Sequence, residues 1–208
     1  YGWSIAMIVT AISVCLIVPL AFTLPSDPRV RDENVVHTGS IGAIREAFAH
    51  RGFVLLTAGF FVCGFHVAFI TVHLPIYVAD LKLAPMVGAF AISLIGIFNI
   101  FGSLLSGAFG QRFSKKLGLS GIYALRALVL TIFLLSPKTT EVIYLFAATM
   151  GILWLSTVPL TAGLVAQVFG IRYMATLYGF VFLSHQIGSF IGVWMGGYIH
   201  DVTGSYDL

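Results

Sequence analysis

Charge is what this chain has least of. Asp, Glu, Lys and Arg make up 9% of its 208 residues, against about 25% in soluble domains. Only Arg126 falls inside the roughly 150 residues of apolar run, and no Asp or Glu lies within a run. With 59% of its residues hydrophobic, a soluble domain of this length could not hide its apolar surface. Cysteine is scarce as well. Cys15 and Cys63 both sit within apolar runs, which argues against a disulfide framework. No basic patch fits a nucleic acid. No cleavable leader is recognisable, because the first run is too long and lacks a basic start. No nucleophile–base–acid set and no metal-ligand cluster appears, which argues against an enzyme, and no cofactor is expected. No Gly-rich loop joins a strand to a helix, so a phosphate cradle is excluded.

What remains is apolar, with 18 Phe and 22 Gly, as in helix-packed membrane proteins. A bilayer core excludes charge and requires an internally hydrogen-bonded backbone, so long uncharged runs predict spanning helices. Six are expected: Gly2–Leu24, Phe53–Ala79, Ala84–Gly110, Leu117–Ser136, Val142–Gln167 and Tyr173–Ile199. The chain opens on Tyr1, already in a run, and stops after a loop at Leu208. It reads as a fragment of a longer protein.

Alternation puts residues 25–52, 111–116 and 168–172 on one side of the membrane. These loops carry Arg29, Arg31, Arg45, Arg51, Arg112, Lys115, Lys116 and Arg172, whereas the other side has only Lys82 and Lys138. The positive-inside rule makes the basic side cytoplasmic. In the long first loop, Ser40 can cap a helix whose Ile41, Ile44 and Phe48 share a face. An amphipathic helix on the inner leaflet and a flexible tether both fit this segment.

The chain also repeats itself. Gly102-Ser103 in the third span aligns with Gly188-Ser189 in the sixth, and Gly110 with Gly196. His73-Leu-Pro75 in the second parallels Thr157-Val-Pro159 in the fifth. A repeated three-helix unit must be inverted in the membrane, because three is odd, and inverted repeats with Pro/Gly-interrupted helices mark secondary transporters. The stripe Gly188, Gly192 and Gly196, and the small residues Ser103, Ser106, Gly107 and Gly110, predict close helix approach.

The segment Gly107-Ala-Phe-Gly-Gln-Arg-Phe-Ser-Lys-Lys116 resembles the G-x-x-x-D-R-x-G-R-K loop of the major facilitator superfamily in its second-half copy. Gly107, Arg112, Lys115 and Lys116 match; Gln111 replaces the Asp and Ser114 the Gly. Three further segments, 64–75, 169–179 and 197–206, resemble the bacterial monocarboxylate-transporter-like branch. The resemblance implies an all-α membrane fold in which these six spans are helices six to eleven of twelve. Residues 1–24 would end the N-terminal half, 25–52 would join the halves, and 53–208 would form the C-terminal bundle without its last helix. It also implies that Gly107, Gln111, Arg112, Lys115 and Lys116 form a gating loop, with the substitution at Gln111 putting the usual role of the Asp in question. The third and sixth spans would meet the other half.

Polar residues inside the spans are the candidates for a transport path. His66 and His73 are seven apart, on one helix face with Tyr77, and the resemblance puts that helix beside a central cavity. Histidine can carry a proton or donate to an anion; two neutral histidines bonded to neighbouring helices fit equally. Trp154 and Thr157 lie three apart on the fifth span, whose family counterpart also lines the cavity, and either cavity lining or plain packing fits. Pro159 should bend that helix and free a carbonyl. His185 occupies a repeat-related position with Asn99 and Gln186, for which interhelical hydrogen bonding is the simpler reading.

Arg126 lies ten residues past Lys116, about 15 Å along a helix and so near mid-membrane. An anionic substrate, an acid in the absent half, or local carbonyls with snorkelling could each accommodate it. The expected function is secondary transport of a small organic anion such as a monocarboxylate, with protons as a candidate second partner. The expected setting is a bacterial inner membrane and its lipid bilayer, beside the absent N-terminal half, with no nucleic acid. Two readings from other classes stay open: a haem-binding membrane protein ligated by His66, His73 or His185, and a receptor or scaffold.

Overall fold

In a computed structural model the described residues are 39–206. The first expected span, Gly2–Leu24, and most of the loop after it lie outside them. The described residues form seven helices: α1 Ser40–Ala49, α2 Arg51–Asp80, α3 Pro85–Arg112, α4 Lys115–Leu135, α5 Thr140–Leu153, α6 Thr157–Phe169 and α7 Met174–Thr203. Five stretches are long and apolar enough to cross a membrane: α2, α3, α4, α5 with α6 counted as one, and α7. The described residues are therefore all-helical and form a multi-pass membrane chain. The charged residues that the helices include, other than Arg126, lie in their terminal turns or in the surface helix α1, so each span closes where water becomes available to charge.

Helix ends follow local chemistry. Ser114 caps α4 by accepting from Leu117 N at 3.5 Å, and Thr139 caps α5 through Val142 N at 3.5 Å. Gly204 ends α7 with a φ of 72°, a left-handed cap that a side chain would strain. Ser40 is not the cap expected of it. Gly39 holds that position and Ser40 is the first residue of α1. The buried face of α1 is Ala43 and Ala47, while Ile41 is 83% exposed. Small residues let α1 lie against α2 and α7; Ile41 points away from the bundle, while Phe48 packs edge-on against Phe53 of α2 and Phe180 of α7.

Two helix pairs make most of the packing, α2 along α7 and α3 along α5. Both depend on glycine, since helices in lipid gain little from hydrophobicity and associate through close contact. On α7, Gly188 faces the carbonyl of Phe61 and Gly192 that of Phe65, while Gly64 on α2 faces the carbonyl of His185. On α3, Gly102 faces the Ile152 carbonyl, and Gly151 on α5 faces that of Ile95. Ser184 and Ser189 tighten the first pair by donating to Thr57 O at 2.7 Å and Gly64 O at 3.2 Å. These stripes are thus used inside the bundle, whereas the third and sixth spans were expected to present small residues to the other half. Gly107 has open space beside it.

The fifth expected span, Val142–Gln167, is two helices. Its break covers Trp154, Leu155 and Ser156, upstream of Pro159, which sits inside the first turn of α6. Proline is well tolerated in a first turn, where its missing N–H would have no partner anyway. The bend expected at Pro159 is therefore a full interruption a few residues earlier.

Candidate functional site

The break leaves backbone groups without helical partners in a region where water cannot serve them. Side chains from two other helices supply the partners. Asn99 Oδ1 on α3 accepts from Leu155 N at 3.0 Å. Arg126 on α4 donates from Nε to Leu153 O at 3.1 Å, and from one terminal nitrogen to the carbonyls of Leu153 and Trp154. Its other terminal nitrogen donates to Cys63 Sγ at 3.1 Å and His66 Nε2 at 3.2 Å on α2. All five guanidinium N–H groups are used. Arg126 is 2% exposed, so it does not snorkel. The Tyr123 ring, one turn earlier on α4, stands 5.5 Å from its central carbon, and Tyr123 donates to Gly59 O at 2.9 Å.

His66 is held in one tautomer. Its Nδ1 lies 2.7 Å from Val62 O, a carbonyl that can only accept, so Nδ1 carries the proton and Nε2 is free to accept from Arg126. Cys63 is fully buried one turn away, 3.6 Å from the Thr157 hydroxyl at the start of α6. His185 approaches the same thiol from α7 and stacks on Phe182 with ring centres 5.4 Å apart. The structure thus brings together Thr157 and His185 around Cys63, and Cys63, His66 and the carbonyl of Trp154 around Arg126. The Trp154 side chain is buried in the core.

His73 and Tyr77 belong elsewhere. His73 donates from Nε2 to Val193 O at 3.0 Å and accepts at Nδ1 from Tyr206 OH at 2.6 Å. Tyr77 packs against Phe133 and Tyr206. His66 and His73 share a helix but serve different neighbours, α4 and α7. Nearby, His200 Nε2 meets Asp80 Oδ2 at 3.1 Å. Tyr206 lies beyond the last span, and partial burial with the nearby carboxylates of Asp80 and Asp201 raises its pKa above the ordinary tyrosine value.

At the other end, Gln111, Arg112 and Lys116 are exposed where α3 turns into α4. The Lys115 stem runs between Gly110 and Gly163, close enough that a methyl group on Gly163 would meet Lys115 Cε at 2.8 Å. Two shallow apolar grooves run along α2 and α7 and contain none of the expected path residues. The polar cluster around Arg126 is a packed centre.

Sequence reasoning missed Cys63 and Tyr123 and, although local carbonyls were one of the options for Arg126, it did not single out those of Leu153 and Trp154. Cys63 carried a signal, since it lies three residues before His66 and so shares its face. The carbonyls carried none, because every residue type has one. Haem ligation is not favoured, as both ring nitrogens of His66 and of His73 are engaged in hydrogen bonds.

Comparison with known proteins bears on this arrangement. The chain is 29% identical over 159 residues to the uncharacterized MFS-type transporter YcxA of Bacillus subtilis (strain 168), covering 74% of this chain and 38% of that protein. It therefore spans less than two fifths of the relative's length. The Major Facilitator Superfamily matches residues 1–193. With the family match over most of its length, and with five stretches able to cross a membrane, the chain belongs to the Major Facilitator Superfamily of membrane transporters.

Proposed function

We propose that the chain is part of the C-terminal half of a secondary transporter that moves a small organic anion, a monocarboxylate being the leading class, with coupling to protons. The carrying observation is Arg126, a buried cation with no carboxylate partner among the described residues. Its N–H groups are satisfied by neutral acceptors, so its charge is solvated and not cancelled. An anion 8 Å away would gain ~2 kcal/mol at an effective dielectric constant of about 20. The field favours anions without requiring that Arg126 touch one.

The helices correspond, in this reading, to the sixth through eleventh of a twelve-helix fold. Residues 1–24 close the first half, 25–52 join the halves, and 53–208 belong to the second bundle, with the remaining helices elsewhere in the protein. Reciprocal glycine contacts support an inverted repeat. Gly102 meets span five and its aligned partner Gly188 meets span two, the repeat-mate of span five. Alternating access would then come from rocking of the bundles about a midplane site. Six basic residues, Arg45, Arg51, Arg112, Lys115, Lys116 and Arg172, lie at one end of the described helices. That end is assigned to the cytoplasm, and a bacterial inner membrane fits the Bacillus relative.

Counterflow of labelled monocarboxylates in proteoliposomes holding the full-length protein separates a carrier from a receptor or scaffold. Exchange above protein-free vesicles is expected. Proton coupling is tested by uptake in a His66→Ala/His73→Ala variant. It should lose the dependence on an inward proton gradient; retention of the full dependence would refute a role for either histidine.

A further inference from the structure

Arg126, Asn99 and the α5–α6 break form one unit whose parts come from three spans. The break leaves one N–H, on Leu155, and two carbonyls, of Leu153 and Trp154, that a continuous helix would have paired. Asn99 accepts from the N–H of Leu155, and Arg126 donates to the carbonyls of Leu153 and Trp154. One side of the break is therefore tied to α3 and the other to α4. Neither tie can be replaced by water in the hydrocarbon region, so each persists until another acceptor or donor arrives.

The same guanidinium is tied to α2 through His66 Nε2 at 3.2 Å and Cys63 Sγ at 3.1 Å. His66 can accept only while Nε2 is bare. A proton taken up there removes the acceptor and places a second cation against Arg126. The other groups facing this pair are known. Cys63 is on its own helix and Tyr123 comes from α4. The Thr157 hydroxyl comes from α6, and His185 and Tyr178 come from α7, both within electrostatic reach of the cluster. α3 contributes the neutral Asn99 and α5 only backbone carbonyls. None of these neighbours is a carboxylate that would hold two cations together.

We propose that Arg126 and Asn99 are positioning residues that pin the break between α5 and α6 as a closed hinge, and that protonation of His66 at Nε2 releases Arg126 and lets the hinge move. The role of this hinge in transport rests on the transporter reading above; the hinge itself does not. Arg126 acts through the backbone of α5, and substrate contact is not required of it.

Amide hydrogen exchange in the full-length protein, read in peptides covering residues 152–159 and compared with peptides from α3, tests this. Arg126→Gln and Asn99→Ala should each speed exchange at 152–159 by about ten-fold or more, the factor that one lost charge-assisted or buried hydrogen bond represents, with little change in α3. Asn99→Ala leaves the charged cluster intact, so it carries the test if Arg126→Gln fails to fold. Equal exchange at 152–159 in Asn99→Ala and wild type overturns the pin. Acidification should raise exchange at 152–159 relative to α3 in the wild type. His66→Gln, which retains an acceptor for Arg126 but does not titrate, should abolish that rise. A rise that persists in His66→Gln overturns His66 as the release. Counterflow on the same preparations separates the two readings. Active exchange without the hinge signature refutes the hinge alone, and a hinge signature without exchange of any organic anion refutes the transport reading alone.

Discussion

Gly151→Ala gives a sharp test of how this bundle holds together. Gly151 lies on α5 two residues before Leu153, where α5 crosses α3. A methyl carbon there would stand 2.8 Å from the Ile95 carbonyl oxygen, 2.9 Å from Phe98 Cβ and 3.0 Å from Ile95 Cα. Two of these are backbone atoms of a packed helix, so rotamer change cannot relieve them. Ordinary contact begins near 3.4 Å, so α3 and α5 must part by about half an ångström. Overpacking of this kind costs about 1–3 kcal/mol. Against it stands the gain of up to about 1 kcal/mol for Ala over Gly in a helix. Gly121→Ala on α4 isolates that gain, since nothing lies within 4 Å of its added methyl group. Thermal unfolding of the two full-length variants in one detergent should therefore put Gly151→Ala below Gly121→Ala by about 1–3 kcal/mol. The displacement would also draw Leu155 N away from Asn99 Oδ1, so the break should loosen before the bundle unfolds. Equal stability of the two variants would refute glycine-mediated contact between α3 and α5.

Tyr206 should make stability fall in alkali. Its pKa is raised in the folded protein, so the proton is held more tightly there than in the unfolded chain. The contribution is whole below the ordinary tyrosine pKa of 10.0 and is lost as pH rises through the folded value. Tyr206→Phe should flatten this alkaline decline in thermal unfolding, and an unchanged profile would remove Tyr206 as its source. Ile41 should sit in lipid. A nitroxide on Ile41→Cys, with the protein in vesicles, should collide with oxygen more than with a water-soluble nickel chelate, and the opposite order would place that face of α1 in water.

The expected and observed spans agree because the signal is physical and large. Where charge stops, the helix core begins, and the bounds of α2, α3, α4 and α7 differ from expectation by only a few residues. Caps were less legible. Ser40 has the chemistry of an N-cap, but Gly39 occupies the position, since capping chemistry alone does not say which of two adjacent residues leaves helical geometry. The glycine stripe of α7 was legible as a contact but its partner was not. A repeat of small residues says that a helix comes close, and only the three-dimensional arrangement says that the helix is α2. Likewise, the seven-residue spacing correctly put His66 and His73 near one face, yet a long helix meets different neighbours along that face, α4 at His66 and α7 at His73.

Arg126 was the most visible residue in the sequence and its surroundings the least. Its partners are two carbonyls, a thiol and an imidazole, none of which advertises an ion-pair partner. The charge and the helix break explain each other. A lysine has three donors radiating from one point, whereas the guanidinium presents five in a fixed plane, enough to serve two carbonyls on one side and Cys63 and His66 on the other. A hydrophobic residue at this position would avoid the cost of burying a cation but would leave the carbonyls of Leu153 and Trp154 unpaired in a region without water, at about 1–3 kcal/mol each. Conversely, a continuous helix through residues 154–156 would pair those carbonyls internally and leave the cation without its acceptors. Each feature is unfavourable alone and tolerable only with the other, so a charge retained at mid-membrane is itself a reason to regard the interruption of α5 and α6 as a built part of the fold.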